Sequence, residues 1–268
     1  MSQGTHRLVV HGAAGRMGRR IVACAAEESA RWQLVAAIDR FKLGVDAGEL
    51  AGHGRCGVAI SDTWEPAADV VIDFSLPGAV ASIAQQCATR GVPLVVATTG
   101  LEPADDEAVI AAAATVPVLV SPSMSLAVNI AMDLVSRAGR LLRGVGSRAD
   151  VEIIECHHHH KEDAPSGTAL KFGQIVRNAM GQTREVHGRE GRPGARSVDE
   201  IGYHAVRLGD NPGEHTILFG LEGESLSVNV RATNRDSYAR GALAAAAFLI
   251  GKPAGRYSMT DVLGIAEP

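Results

Sequence analysis

Between Glu155 and Thr168 the chain reads Glu-Cys-His-His-His-His-Lys-Glu-Asp-Ala-Pro-Ser-Gly-Thr, a dense run of proton donors and anion-binding groups. A histidine or lysine delivers a proton near neutral pH, and a reaction that leaves a carbanion-like or enamine centre needs such a donor. His157, His158 and Lys161 offer that chemistry. Just beyond, Pro165-Ser166-Gly167-Thr168 precedes a helical pattern, so its backbone N–H groups and the Ser166 and Thr168 hydroxyls make a cradle for a carboxylate. A cationic acid beside an anion cradle points to an acidic substrate. Three plainer readings compete. A purification tag is normally terminal, whereas this run is internal. Metal binding suits His-rich tracts, but adjacent residues of an extended chain face opposite ways and no second ligand cluster is evident, so no metal is expected. Solvation in a loop is the reading kept for His159 and His160.

A second constellation lies at the start. Gly12-Ala13-Ala14-Gly15-Arg16-Met17-Gly18 closes an apolar run and opens a helical one, the context in which such a motif carries weight. Its glycines let the backbone turn tightly and approach a pyrophosphate, whose charge meets the free N–H groups of a helix N-terminus. Asp39 ends the next apolar run, where a carboxylate would bond the ribose hydroxyls of a dinucleotide, while Arg40 and Arg16 could pair with a 2′-phosphate. Both NADH and NADPH therefore fit. Ala97-Thr98-Thr99-Gly100 and Ser121-Pro122-Ser123-Met124 follow two further apolar runs, at strand ends where ligands of open α/β sheets collect.

These residues need elements to hold them. Arg7 to His11, Gln33 to Ile38, Asp69 to Phe74, Pro93 to Ala97 and Pro117 to Ser121 read as buried strands. Arg16 to Glu28, Gly78 to Arg90 and Pro103 to Ala114 read as helices between them, and Lys42 to Gly57 as a connection without a period. Strand alternating with helix predicts an α/β fold whose N-terminal Rossmann-type sheet is parallel and covered on both faces. After a helix over Asn129 to Leu142 the pattern changes. Asp150 to Cys156 is read as a strand and Thr168 to Met180 as a helix, and the polar, Gly-rich stretch Gln182 to Gly194 as a mobile loop. Ser197 to Leu208, His215 to Leu221 and Ser225 to Ala232 are read as antiparallel strands. The expected division is a dinucleotide-binding domain over 1–127, completed by 235–268 through a helix at Tyr238 to Ile250, and a second, α+β domain of mixed sheet over 128–234.

Composition narrows the classes. With 46% hydrophobic and 21% charged residues the chain reads as globular, not disordered. A net charge of -4 and 4% aromatics offer little to nucleic acid. The longest apolar stretch, Ala242 to Ile250, is too short to span a bilayer, and Met1 to Val10 lacks a secretory pattern. Cys24, Cys56, Cys87 and Cys156 are scattered, as buried thiols of a reducing compartment would be. The expectation is a cytoplasmic protein with neither membrane nor nucleic-acid partner.

Glu155, His157, His158, Lys161, Asp163, Pro165, Ser166, Gly167, Thr168 and Ala169 together meet a highly specific pattern: Glu, any, His, His, two of any, Lys, any, Asp, any, Pro-Ser-Gly-Thr-Ala. On this signature the chain resembles the 4-hydroxy-tetrahydrodipicolinate reductase (dihydrodipicolinate reductase) family of lysine and diaminopimelate biosynthesis. The similarity runs nearly end to end, through Gly12, Gly15, Arg16, Met17 and Gly18 and through Arg207-Leu208-Gly209-Asp210 with Gly213-Glu214-His215-Thr216. The resemblance implies reduction of a small cyclic hydroxy-dicarboxylate to tetrahydrodipicolinate with loss of water, at the expense of NADPH or NADH. By position it implies His157 as proton donor, Lys161 as its cationic partner, and His158, Ser166, Gly167 and Thr168 as substrate contacts. The cofactor would lie on Gly12, Ala13, Ala14, Gly15, Arg16, Met17, Asp39, Arg40, Ala97, Thr98, Thr99, Ser121, Pro122, Ser123 and Met124. A homotetramer built on the mixed sheet is implied as well. The family often has Gly at Ala97, Asn at Ser123 and Gly at Ala127, departures that bear on cofactor affinity and leave the reaction class intact. Two other readings stand beside this one. Another two-domain reductase of an amino-acid precursor would share only the first domain, and a non-catalytic NAD(P)-binding redox sensor would bind without turnover.

Overall fold

A computed structural model of the chain describes residues 4–146 and 149–265; Met1 to Gln3 of the opening stretch read above lie outside the described residues. The chain divides into two compact units, Met1–Leu126 with Arg235–Pro268, and Ala127–Asn234. The first begins with β1 (His6–His11), α1 (Arg16–Glu27) and β2 (Trp32–Ile38), followed by a short α2 (Ala47–Leu50) and β3 (Ile60–Ser61). The connection read as aperiodic is thus organised, because the Asp46 carboxylate accepts the N–H groups of Gly48, Glu49, Cys56 and Gly57 and draws the segment into a closed loop. Next come β4 (Val70–Asp73), α3 (Val80–Arg90), β5 (Leu94–Val96), α4 (Pro103–Ala113) and β6 (Pro117–Val120). Every residue of β4 and β5 is buried, as strands covered on both faces must be. Helix α3 turns Val80, Ile83, Ala84 and Cys87 inward, the i, i+3, i+4, i+7 stripe of a helix lying on a sheet.

The second unit opens with α5 (Leu126–Gly144), then β7 (Asp150–His157), α6 (Gly167–Met180), β8 (Arg184–His187), β9 (Glu200–Arg207), β10 (Glu214–Gly220) and β11 (Ser225–Arg231). Its sheet runs β11-β10-β7-β9-β8. β10 is antiparallel to β7 and β11, whereas β9 is parallel to both β7 and β8. Two expectations are corrected here. The strand expected over Ser197 to Leu208 is not antiparallel, and the stretch Gln182 to Gly194 contains β8. Parallel strands need a long crossover, and the stretch between His187 and Glu200 supplies it. That return is pinned: Arg189 and Arg196 both donate to Glu152, at 2.7 and 2.9 Å, and Arg189 also pairs with Glu200. Val135 of α5 and Phe172 and Val176 of α6 pack on Val151, Ile153, Ile201, Ile217 and Phe219, so both helices cover one sheet face.

The chain then re-enters the first unit through α7 (Asp236–Leu249), β12 (Gly255–Tyr257) and α8 (Met259–Val262). Ala239, Ala242, Leu243 and Ala246 of α7 join Ile21, Val22 and Ala25 of α1 in one buried cluster against the sheet. The finished sheet is β12-β6-β5-β4-β1-β2-β3, parallel throughout. The sequence pattern missed β3 and β12 because edge strands of two and three residues are too short for a period to register. Among the described residues no helix is long and apolar enough to cross a membrane.

Candidate active site

Strand alternation places the reactive residues of the second unit. Along β7 the side chains of Val151, Ile153, Glu155 and His157 all turn to the helix-covered face, so a carboxylate and an imidazole stand two residues apart on one side of the strand. Glu155 is 1% exposed and His157 8%. His157 Nδ1 lies 2.5 Å from Glu155 Oε2. Arg207, register partner of His157 on β9, donates Nη1 to Oε2 and Nη2 to Oε1 of the same carboxylate, both at 2.9 Å. The Ser166 backbone N–H completes the set, donating to Oε1 at 3.0 Å. Burial works against the charged form of Glu155, yet the Arg207 guanidinium and His157 outweigh it and hold the carboxyl below its ordinary range.

Ser166 caps α6: its Oγ accepts the Ala169 N–H at 3.2 Å and lies 3.0 Å from His215 Nε2. His215, register partner of Glu155 on β10, meets the His157 ring edge-on at 5.2 Å between centroids. Burial first, and the nearby His157 next, push the His215 pKa down to about 4, so it is neutral near pH 7. Gly167 is exposed and Thr168 half-buried at the first turn of α6, beside N–H groups that the helix itself does not use. Lys161 Nζ pairs with both Asp163 oxygens, at 2.7 and 2.9 Å, and this pairing lowers the Asp163 carboxyl.

The loop after β7 is tied to the turn after β9. Leu208 N–H donates to the His157 carbonyl, and the N–H groups of His158 and His159 donate to the carbonyls of Asn211 and Gly209. His159 is exposed but not idle, since its Nδ1 also lies 2.8 Å from the Gly209 carbonyl oxygen; His160 packs against its ring in the open. Among the described residues no group of three or more His, Cys, Asp or Glu side chains is arranged to hold a metal. The structure thus gathers His157, Ser166 and the start of α6 around Glu155, with Lys161 in the adjoining loop. Sequence reasoning gave no role to Glu155, Arg207 or His215. The two-residue spacing of Glu155 and His157 on a strand was a usable signal; the other two reach the site only through strand register.

In the first unit the glycine turn is built from backbone. Gly12 has φ of 81°, and a Cβ there would stand 2.5 Å from the Phe74 carbonyl oxygen. A Cβ at Gly18 would stand 2.1 Å from the Gly12 carbonyl oxygen, so α1 meets the turn at the closest approach a backbone permits. Gly15 caps α1 with no side-chain bond, which leaves first-turn N–H groups for an anion. Asp39 accepts the N–H groups of Ala14 and Phe41, at 2.9 and 3.0 Å, and so ties the turn to the end of β2. Arg16 and Arg40 are exposed, Met17 half-buried and Ala13 buried. Beyond β5, Ala97 and Thr98 are buried and Thr99 exposed; Thr98 Oγ1 donates to Asp73 at 2.6 Å. Asp73, fully buried and overlooked in the sequence, also takes the Ser75 hydroxyl at 2.6 Å and lies 2.7 Å from His11 Nδ1. Beyond β6, Ser121 Oγ donates to the Ser123 carbonyl and Pro122 is exposed. Met124 is 1% exposed and belongs to the core, so what it offers a ligand is backbone. These segments all follow carboxyl ends of parallel strands, and the cradle, uncapped helix and carboxylate together fit a dinucleotide.

Known proteins resemble this chain along nearly its whole length. A family model described as dihydrodipicolinate reductase, N-terminus, matches residues 6–124, and one described as dihydrodipicolinate reductase, C-terminus, matches residues 127–263. The chain is 52% identical to the 4-hydroxy-tetrahydrodipicolinate reductase of Rhodopirellula baltica, with 99% of each chain covered. It is 46% identical to that of Alkalilimnicola ehrlichii over 97% of this chain and 100% of the other. Among solved structures it is similar to dipicolinate-bound dihydrodipicolinate reductase from a Paenisporosarcina species, with a TM-score of 0.77, 25% identity and coverage of 98% and 100%. Amine dehydrogenase from Mycobacterium smegmatis, at 16% identity and a TM-score of 0.61, shares the fold alone.

Proposed function

Because the chain belongs to the dihydrodipicolinate reductase family, and its activity is the 4-hydroxy-tetrahydrodipicolinate reductase step of lysine biosynthesis, we propose that His157 is the proton donor of that reduction and that α6 holds the substrate. The carrying observation is that one buried carboxylate, Glu155, touches both the His157 imidazole and the N-terminus of α6. Loss of the substrate hydroxyl as water leaves a conjugated imine, whose reduction takes a hydride and a proton. The Gly12–Met17 turn with Asp39, Arg40, the Ala97–Thr99 segment and the Ser121–Met124 segment would hold a reduced nicotinamide, NADPH or NADH, which would supply the hydride. His157 delivers its proton to the carbon left electron-rich. The N–H groups and hydroxyls of Ser166, Gly167 and Thr168, with His158, receive a substrate carboxylate, and Lys161 adds positive charge beside it. The dipicolinate bound by the Paenisporosarcina protein is a small cyclic dicarboxylate, in keeping with that cradle.

Cofactor choice falls to opposed groups. Asp39 favours the ribose hydroxyls of NADH, while the exposed guanidiniums of Arg40 and Arg16 favour the 2′-phosphate of NADPH. Both cofactors are therefore accepted. Assembly is a homotetramer through the sheet of the second unit, whose helix-free face carries Ile154 and Val206, 37% and 41% exposed.

The test is a coupled assay in which a synthase supplies 4-hydroxy-tetrahydrodipicolinate and oxidation of NADPH and NADH is followed separately. Turnover with both, abolished when the synthase is omitted, is expected. His157→Gln should lower kcat by about 100-fold or more with a smaller change in KM, since a general acid acts in the transition state. Full turnover by that variant would move the acid to Lys161.

A further inference from the structure

We propose that Glu155, clamped by Arg207, is the positioning residue of the proton donor: it obliges the His157 imidazole to keep a proton on Nδ1 and so assigns the transferred proton to Nε2. The inference rests on the reading of His157 as acid and adds the atom that acts and the residue that selects it. An ionised carboxylate only accepts hydrogen bonds. Glu155 receives two N–H groups of Arg207, the Ser166 N–H and the His157 ring nitrogen, and it is sealed from solvent. With an acceptor-only partner 2.5 Å away, Nδ1 must be the donor. Arg207 keeps that partner ionised, and its own fork is fixed by the carbonyls of Lys161, Asp163 and Val206, at 3.3, 2.6 and 2.7 Å.

The remaining neighbours hold the ring. His215, from β10, presses edge-on against the imidazole, and its neutral state adds no competing charge. Lys161 and its partner Asp163 stand in the loop that follows. A ring flip would break the bond to Glu155 and leave a buried carboxylate facing C–H. His157 acts from its imidazolium form, with a proton on each ring nitrogen: the Nε2–H bond breaks, the electron pair at the substrate carbon forms the new C–H bond, and His157 remains as the neutral Nδ1–H tautomer. Because the other Glu155 oxygen grips the cap of α6, one side chain also sets the spacing between acid and anion cradle.

The experiment uses full-length enzyme labelled with 15N-histidine, with His157 assigned by comparison with His157→Gln, together with the kinetics of Glu155→Gln and Glu155→Asp. Observed at a pH where its ring is neutral, wild-type His157 is expected as the Nδ1–H tautomer. In Glu155→Gln the side-chain amide can offer an N–H to Nδ1, so that signature should be lost. Its kcat should fall about 100-fold or more while KM changes by less than about threefold, with Glu155→Asp intermediate. An Nε2–H tautomer in the wild-type enzyme overturns the proposal even if the variants fail to fold. So does a Glu155→Gln kcat within about threefold of wild type when His157→Gln is inactive. An active His157→Gln enzyme instead overturns the proton-donor reading, and the assignment of Nε2 with it.

Discussion

His215 is 4% exposed, and its burial is a statement about stability as well as about charge. An unfolded histidine binds its proton near pH 6.5, whereas folded His215 does so only near 4. Between those values the unfolded chain carries the extra proton, so stability falls as pH falls, by roughly 3 kcal/mol once pH 4 is reached. Depressed carboxylates act in a lower window. Glu152 is held at about 2, against burial, by Arg189, His204 and Arg196, and its contribution is lost as pH falls below its ordinary 4.5. Thermal unfolding followed between pH 7 and 4.5 should therefore show a shallower loss of Tm for His215→Gln than for the unaltered protein. Equal slopes would mean that His215 is protonated in the fold.

At the scale of elements, the proposed binding falls to two helix N-termini, and each rests on one small residue. Gly18 lets α1 sit against the turn, with backbone atoms 2.1 and 2.7 Å from where a Cβ would be. Backbone cannot yield as a side chain does, so Gly18→Ala should cost about 1–3 kcal/mol and deform the cradle. Fluorescence titration with NADPH should show at least a tenfold weaker Kd, or about 1.4 kcal/mol; an unchanged Kd would detach the turn from cofactor binding. Ser166 caps α6 and engages His215. Removing the hydroxyl in Ser166→Ala should cost about 1 kcal/mol of stability, read as a lower Tm. The same variant should raise KM for the dicarboxylate more than it lowers kcat.

For the whole molecule, the two units present different surfaces to solvent. The parallel sheet of the first is closed by helices, α1 and α7 among them sharing a core with the strands. The sheet of the second has its helices on one face and leaves Ile154 and Val206 on the other. Such a face is stabilised by burial against a copy of itself, which is the basis of the proposed tetramer. Ile154→Arg should shift the mass measured by light scattering toward smaller species while the circular dichroism spectrum is retained. A tetramer undisturbed by that charge would remove the sheet face from the interface.

The candidate site was legible along the chain wherever neighbours in sequence are neighbours in space. His157, Lys161 and Ser166 lie in one strand-to-helix connection, and Gly12, Gly15 and Gly18 in another, so residue type and spacing sufficed. The parallel sheet was legible because strands buried on both faces read as unbroken apolar runs. Tertiary structure alone decided the rest. Arg207 lies 52 residues from Glu155, and His215 lies 49 from Ser166; both reach the site by hydrogen-bonded register between strands, which no local pattern encodes. The sense of β9 depended on a crossover pinned by Arg189 and Arg196, and β3 and β12 exist only as additions to an existing sheet. Local sequence thus determined which groups are the candidates for the chemistry. Pairing between distant strands decided which groups, Arg207 and His215, surround them.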